Sequence, residues 1–297
     1  MGHFRLMELP CFDDNIFCTL GWCVFSVITI NWKKMYEIIF DWPIYILLPV
    51  FIIIFNLIGL GFLLMVRKFQ IYPIISKSNE FVLETYSDAI GIIFAFVLSL
   101  VTVTAWQTHN DISNSVAKEA TTLFNIYRTL DSYPPEIRER GREELRDFIY
   151  EVINSEWPSM KKGQYDTKAS LKFLNFGNLV GQYKPKDYAE LAAQQEELRL
   201  LSNYRELRGI RIENTKPLID NNLLLILSLS AMVYLFYQSL YKMIQLRVHL
   251  IMYLALTTSI GLVFIMILIF NNPFIGPSAI SPEPFQKLLN YYWPLIH

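Results

Sequence analysis

The chain has 297 residues, of which 53% are hydrophobic, 15% aromatic and only 18% charged, and its mean hydropathy is +0.30. Soluble domains carry about 25% charged residues, so this composition excludes an ordinary soluble protein and makes lipid the second solvent. The net charge of −1 and the lack of a basic stripe exclude nucleic acid as a partner.

The first element is a hydrophobic extension, residues 1–34. Within it, Ile16 to Ile30 is a 15-residue stretch that includes Cys, Thr, Gly and Ser and is followed by Lys33-Lys34. This pattern fits an uncleaved signal-like segment, an extra span or an interfacial helix. Alternatively, translation starts at Met35 and residues 1–34 are an over-long gene reading. All three cysteines (Cys11, Cys18, Cys23) lie here, and their spacing matches no zinc or redox motif. The four histidines, at 3, 109, 249 and 297, are scattered without ligand spacing. No metal or cofactor is therefore expected.

A membrane span needs about 20 mostly apolar residues, because a helix rises 1.5 Å per residue across a hydrocarbon core about 30 Å thick. Four charge-free windows meet this requirement, so the expected fold is an all-α polytopic membrane protein with about four transmembrane helices. The first pair lies in residues 35–106. Span one runs from Pro43 to Val66 and closes at Arg67-Lys68, and span two runs from Ile90 to Trp106. The second pair lies in residues 217–270. Asp220 and Lys242 bracket span three, and span four runs from Leu250 to Phe270. A Pro-rich tail, residues 271–297, follows.

Between the pairs lies a charge-balanced domain, residues 107–216, with 17 Lys plus Arg and 17 Asp plus Glu. Ile112, Val116, Leu123, Ile126, Tyr127 and Leu130 fall near heptad spacing and mark one apolar helix face. Neither Pro nor Gly interrupts Ile92 to Tyr133. Span two is therefore predicted to leave the membrane as one helix of some 40 residues, on the order of 60 Å long, ended by Pro134-Pro135. A second helix opens at Pro135-Glu136, buries Leu145, Phe148, Ile149, Val152 and Ile153, and stops near Trp157-Pro158. A short helix is expected from Ser170 to Leu179. A last one is opened by Pro185, with Tyr188, Leu191, Leu198 and Leu201 on its apolar side. The charged run Glu139 to Asp147 reads as a solvated helix face. The domain is thus an all-helical bundle between spans two and three.

No nucleotide-binding glycine loop, paired-His motif or nucleophile elbow is present, so no catalytic residues are assigned and an enzyme is not expected. The spans carry no Asp, Glu, Lys or Arg in their cores, which argues against a proton-coupled pump or a voltage sensor. On span two, Asp88, Gly91, Ala95, Ser99, Thr102 and Trp106 recur at steps of three or four and share one face. Small residues there allow close helix packing. The alternative is a pore-lining helix in which Ile92, Phe96 and Leu100, four apart, form an apolar constriction that gates by dewetting. Ser228, Ser230, Tyr234 and Gln238 on span three, and Thr257, Thr258, Ser259 and Gly261 on span four, suit helix–helix bonding better than a substrate site.

Gly91-Ile-Ile-Phe-Ala-Phe, followed by Ala105-Trp106 and Asn110-Asp111, resembles the second helix of bestrophin-like membrane proteins. Asn271-Asn272-Pro273-Phe274 with Gly276, then Ser281-Pro282-Glu283-Pro284-Phe285, is similar to the Pro-Phe-Gly segment after the last span of that superfamily. Glu156-Trp157-Pro158 resembles its more distant bacterial branch. The resemblance covers the chain from about Met35 to the end. It implies a homo-oligomer, pentameric as in bestrophins, whose second helices line a pore for inorganic anions. It further implies that the protein sits in a bacterial inner or plasma membrane, in contact with the lipid bilayer. Two departures stand out. The stretch after the Pro-Phe-Gly segment supplies only Glu283, too few carboxylates for the calcium site of calcium-gated relatives. The run after Phe96 lacks their Arg-Trp-Trp cluster.

Charge cues to orientation conflict. Arg67, Lys68, Lys77, Lys242 and Arg247 place the short loops in the cytoplasm. Lys33-Lys34, Arg205, Arg208, Arg211 and Lys216 agree with the resemblance in placing the helical domain there, which is the orientation adopted. Three functions compete. The first is a passive anion channel, and the second a membrane-anchored sensor whose helical domain binds a ligand or partner. Third is a membrane-embedded enzyme, for which no acid–base pair or metal set appears.

Overall fold

The computed structural model describes residues 42–69, 80–164, 166–241 and 245–292. The hydrophobic extension at 1–34 lies outside these residues, as do Lys77 and Lys242. The described residues are helical and include no strand. This follows from the solvent: inside hydrocarbon every backbone N–H and C=O must be bonded within the segment, and only a helix or a closed barrel achieves that.

Four helices are long and apolar enough to cross a membrane. Helix α1 is Ile44–Lys68, and Arg67 and Lys68 in its last turn complement the helix dipole. Helix α2, Glu80–Thr129, runs unbroken for 50 residues, about 75 Å at 1.5 Å per residue. It is longer than the sequence pattern suggested because it starts ten residues before the charge-free window. A single 3-10 turn, Leu130–Ser132, ends it ahead of the paired prolines. The other two spans, numbered after the domain helices below, are α7, Asn221–Ser239, capped by Asp220 accepting from the Asn222 N–H, and α8, Leu246–Asn271.

The helical domain contains α3, Pro135–Glu151; α4, Trp157–Lys161; α5, Thr167–Gln182; and α6, Tyr188–Glu213. The helix expected to stop at Trp157-Pro158 does not. One π turn, Val152–Glu156, joins α3 to α4, and Pro158 is accommodated in the first turn of α4, where its missing N–H costs nothing. The wider turn shifts the register, and Glu156, Trp157 and Met160 all end up buried.

The face expected for α6 is also corrected. Asp187, not Pro185, caps the helix, accepting from the Glu190 N–H. Tyr188 is almost fully exposed, and Leu191 and Leu198 are exposed as well; of the residues expected inside, only Leu201 is buried. The inward face is instead Ala193, Glu197, Leu200, Leu201, Tyr204, Arg208 and Arg211. Its charged members disguise it as a solvent face. Likewise, the run Glu139 to Asp147 is not wholly solvated. Arg142 is buried, lies 4.7 Å over the Tyr127 ring and pairs with Asp131 at 2.5 Å. The heptad stripe of α2 packs as expected into the core, with Ile112, Val116, Leu123, Ile126, Tyr127 and Leu130 all buried in one cluster with residues of α3, α5 and α6, and α6 is its main partner.

Within the spans, the polar residues mostly serve packing. Ser228, Ser230 and Ser259 bond carbonyls of their own helices. Asn56 on α1 donates to Thr258 on α8 at 3.0 Å and accepts from Thr257. Gly59 and Gly261 let these two helices approach: a Cβ on Gly59 would collide with Thr257, and one on Gly261 would lie 3.1 Å from Phe55. Gly59→Leu should therefore cost about 1–3 kcal/mol through overpacking. Asn56→Leu removes two interhelical hydrogen bonds, each typically worth about 0.6 kcal/mol in lipid, and should cost about 1 kcal/mol. Thermal unfolding in detergent, followed by circular dichroism, checks that ranking.

Candidate functional site

Two features qualify as a site: a charged and aromatic cluster at the root of the helical domain, and the membrane face of α2. The cluster is built around Arg211. Its side chain is completely buried and donates to Glu119 through Nε at 2.7 Å and Nη2 at 2.9 Å, and to Glu156 through Nη2 at 2.6 Å. Its Nη1 reaches Met160 Sδ at 2.8 Å. Arg208, one helical turn earlier, pairs with Glu156 and donates to Ser170 at 3.0 Å. Two guanidinium groups thus face two carboxylates, and the cluster is neutral as a whole. Burial opposes the charge on Arg211, but Glu119 and Glu156 outweigh it and hold the guanidinium above its ordinary value. Tyr204, buried beside them, is pushed well up by desolvation.

The same guanidinium stacks on aromatic rings, 4.8 Å from the centroid of Trp157 and 5.7 Å from that of Phe285. Trp157 meets Phe274 edge-on at 5.8 Å and Phe285 at 5.5 Å, and its indole N–H donates to the Ile280 carbonyl at 3.3 Å. The segment after α8 therefore returns to the helical domain. Gly276, at φ 97°, supplies the left-handed turn that side-chain-bearing residues resist, and Ile280 N–H closes on the Pro273 carbonyl at 2.7 Å. His109 on α2 bonds the Ser278 carbonyl at 3.0 Å, and Asn271 accepts from the Ile219 N–H at 2.6 Å. A short helix, α9 (Glu283–Lys287), follows with Pro282 before it. Glu283 pairs with Lys287 at 2.7 Å on the surface.

Several sequence-selected residues thus converge. Glu156, Trp157, Phe274 and Phe285 touch one another or share Arg211. Pro158, Pro273, Gly276 and Pro282 shape the turns that hold them. By contrast, Gly91, Trp106 and Asp111 are strung along α2 over 20 residues, about 30 Å. Glu119, Arg208 and Arg211 were not singled out as partners by the sequence. A signal existed: Glu119 sits on the heptad stripe between Val116 and Leu123, where a charge is out of place unless paired inside.

The second feature is the membrane half of α2, which divides sharply. Ser87, Phe94, Leu98, Thr102, Ala105 and His109 turn into the chain's own bundle. Gly91 packs on Tyr234, which would lie 3.1 Å from an added Cβ, and Tyr234 stacks on Phe94 at 5.4 Å. Thr102 bonds the Leu98 carbonyl. Of the small or polar stripe, Gly91 and Thr102 are therefore packing residues, whereas Ala95 and Ser99 face outward. They lie beside Ile92, Phe96 and Leu100, which are 70, 64 and 53% exposed. Between Asp88 and Asp111 this helix carries no charge.

Four apolar spans, one of them running on as a long helix into a bundle clamped by the chain beyond the last span, define an all-helical polytopic membrane protein. The Bestrophin-like domain matches residues 53–285, most of the chain, and the protein belongs to that family. A solved crystal structure described only as that of a membrane protein has a similar fold, with a TM-score of 0.58 at 13% identity, over 82% of this chain and 97% of that one. No curated protein matches the chain.

Removing one member of a buried ion cluster strands the others, typically at a cost of about 3–5 kcal/mol. Arg211→Met should therefore destabilise the helical domain by about that amount, and adding Glu119→Gln should recover part of it. Chemical denaturation in detergent measures both.

Glu197 generates a second prediction. It is fully buried on α6, and neither carboxylate oxygen has a hydrogen-bond partner. Desolvation pushes it from 4.5 up to about 9, with Glu196 adding to the shift. A proton held more tightly in the folded than in the unfolded state makes stability fall as pH rises between those two values, by at most about 1.4 kcal/mol per pH unit. Glu197→Gln should flatten that slope and unfold at higher denaturant than the native chain at pH 8.

Proposed function

We propose that the protein is a passive channel for inorganic anions, formed by a ring of copies of this chain with α2 lining the shared axis. The observation that carries this is the outward face of α2. A charge-free surface of Ile92, Ala95, Phe96, Ser99 and Leu100 is left uncovered by the subunit's own helices, on the one span that continues as a rod into the helical domain. In this arrangement Ile92, Phe96 and Leu100 form an apolar neck that opens by wetting, and Ala95 and Ser99 provide narrower side chains beside it. Membership of a family associated with channels rather than enzymes supports the reading. Bestrophins assemble as pentamers, so five copies are the expected ring. The absence of charge from the α2 core fits passive conduction rather than proton coupling. We infer that the protein is integral to a bacterial inner or plasma membrane, with its helical domain on the cytoplasmic side.

Chloride efflux from proteoliposomes tests the proposal. The native oligomer should conduct, and Phe96→Ala should raise the flux by removing the bulkiest of the three neck residues. If well-formed oligomers of both proteins are silent, the channel reading is contradicted. A membrane-anchored sensor, with the helical domain binding a ligand or partner, then becomes the better account.

A further inference from the structure

Helices α5 and α6 of the helical domain run antiparallel. The Phe173 ring lies 5.2 Å from that of Tyr204, whereas Gln194, earlier on α6, donates to the Val180 carbonyl, later on α5, at 2.8 Å. Between them the two helices form a cleft of about 540 Å³, within the size range of small-molecule sites. Leu198, Ser202 and Arg205, at steps of four and three, share one face of α6, and Leu174, Gly177 and Asn178 share one of α5; all six line the cleft. The buried rings and methyls of Phe173 and Leu201 floor it, and Leu174 and Leu198, 55 and 44% exposed, wall it.

The charge in the cleft has one sign. The Arg205 guanidinium lies 5.9 Å over the Phe173 ring and forms no ion pair among the described residues, whereas Arg208, one turn on, is taken up by Glu156. The Ser202 hydroxyl and the Asn178 amide are exposed and make no hydrogen bond among the described residues. No Asp or Glu lines the cleft. An unpaired guanidinium held on a ring, with free donors beside it, is complementary to a carboxylate. A second observation concerns Gly177. Glycine inside a helix is destabilising relative to alanine, and packing does not call for it here, because an added Cβ would meet nothing within 4 Å. The space it leaves belongs to the cleft. From Phe173, opposite Arg205, to Asn178 the cleft follows about 7.5 Å of helix, the length of a fused pair of aromatic rings.

We propose that the α5–α6 cleft binds a small aromatic carboxylate, with its charge on Arg205 and Ser202 and its rings between Leu174 and Leu198, over Gly177. Asn178 closes the far end. The site is separate from the membrane face of α2 and does not depend on conduction there.

The full chain in phosphatidylcholine nanodiscs is titrated calorimetrically with 2-naphthoate and with 2-naphthylmethanol, which has the same rings without the charge. Empty nanodiscs supply the background. The carboxylate should bind saturably, and the alcohol about fivefold or more weaker, as expected for one exposed charge pair. Arg205→Gln should weaken 2-naphthoate by a similar factor, and Arg205→Lys, which keeps the charge, should weaken it less. Gly177→Leu places its side chain in open space, so it should block binding while leaving the thermal unfolding of the protein no lower than native. The proposal is overturned if 2-naphthoate shows no saturable binding above background or if the alcohol binds equally well. It is overturned too if Arg205→Gln or Gly177→Leu binds 2-naphthoate as the native chain does.

Discussion

Arg211 has no route to water, and that single constraint organises the root of the helical domain. A buried guanidinium is tolerated only with carboxylates at hydrogen-bond distance. Here those carboxylates come from two separate places, Glu119 on α2 and Glu156 on the π turn between α3 and α4. Satisfying one charge therefore fixes three elements against one another. The flat faces of the guanidinium stack on Trp157 and Phe285, which adds the segment beyond the last span to the same knot. Apolar residues could fill this volume at similar or better stability. What a charged knot adds is register: moving α6 by one turn so that Arg211 takes the place of Arg208 would leave the buried Glu119 without its guanidinium.

That fixed root matters because of what α2 is. A 50-residue helix without Pro, and with its only Gly at position 91, transmits displacement along its axis instead of absorbing it in a loop. One half is gripped by the domain core and by the ion cluster. The other half packs one side on α7 and α8 and leaves Ile92, Phe96 and Leu100 uncovered. Movement of the segment after α8, which touches α2 through His109 and α4 through Trp157, would therefore reach the membrane half of α2 through continuous packed structure. This continuity is what would couple the domain to the proposed neck in the membrane.

Much of this architecture was legible in the sequence, because hydrophobic transfer is a sum over many residues and survives local irregularity. The four spans, the unbroken second helix and the heptad stripe from Ile112 to Leu130 all belong to that class. The legibility failed where charge was buried. Arg208 and Arg211 read as the polar side of α6, so the apolar pattern points to Tyr188, Leu191 and Leu198 as inward residues, whereas all three are exposed. The run around Arg142 failed the same way. Pairing across 92 residues, as between Glu119 and Arg211, leaves no mark in local periodicity. The Glu156-Trp157-Pro158 and Pro-Phe-Gly motifs were visible as short strings, but their contact through Trp157 and Phe274 is a property of the fold. On α2, the stripe of small residues was visible, yet only packing separates Gly91 and Thr102, which turn inward, from Ala95 and Ser99, which do not.

Everything functional rests on where the uncovered face of α2 points once copies of the chain assemble. Electron cryomicroscopy of the intact protein in lipid nanodiscs examines this directly. The account predicts a closed ring in which Ile92, Phe96 and Leu100 of every copy surround a central, solvent-connected axis free of lipid. Acyl-chain density lying against those three side chains, or an assembly without a common axis along α2, would contradict it.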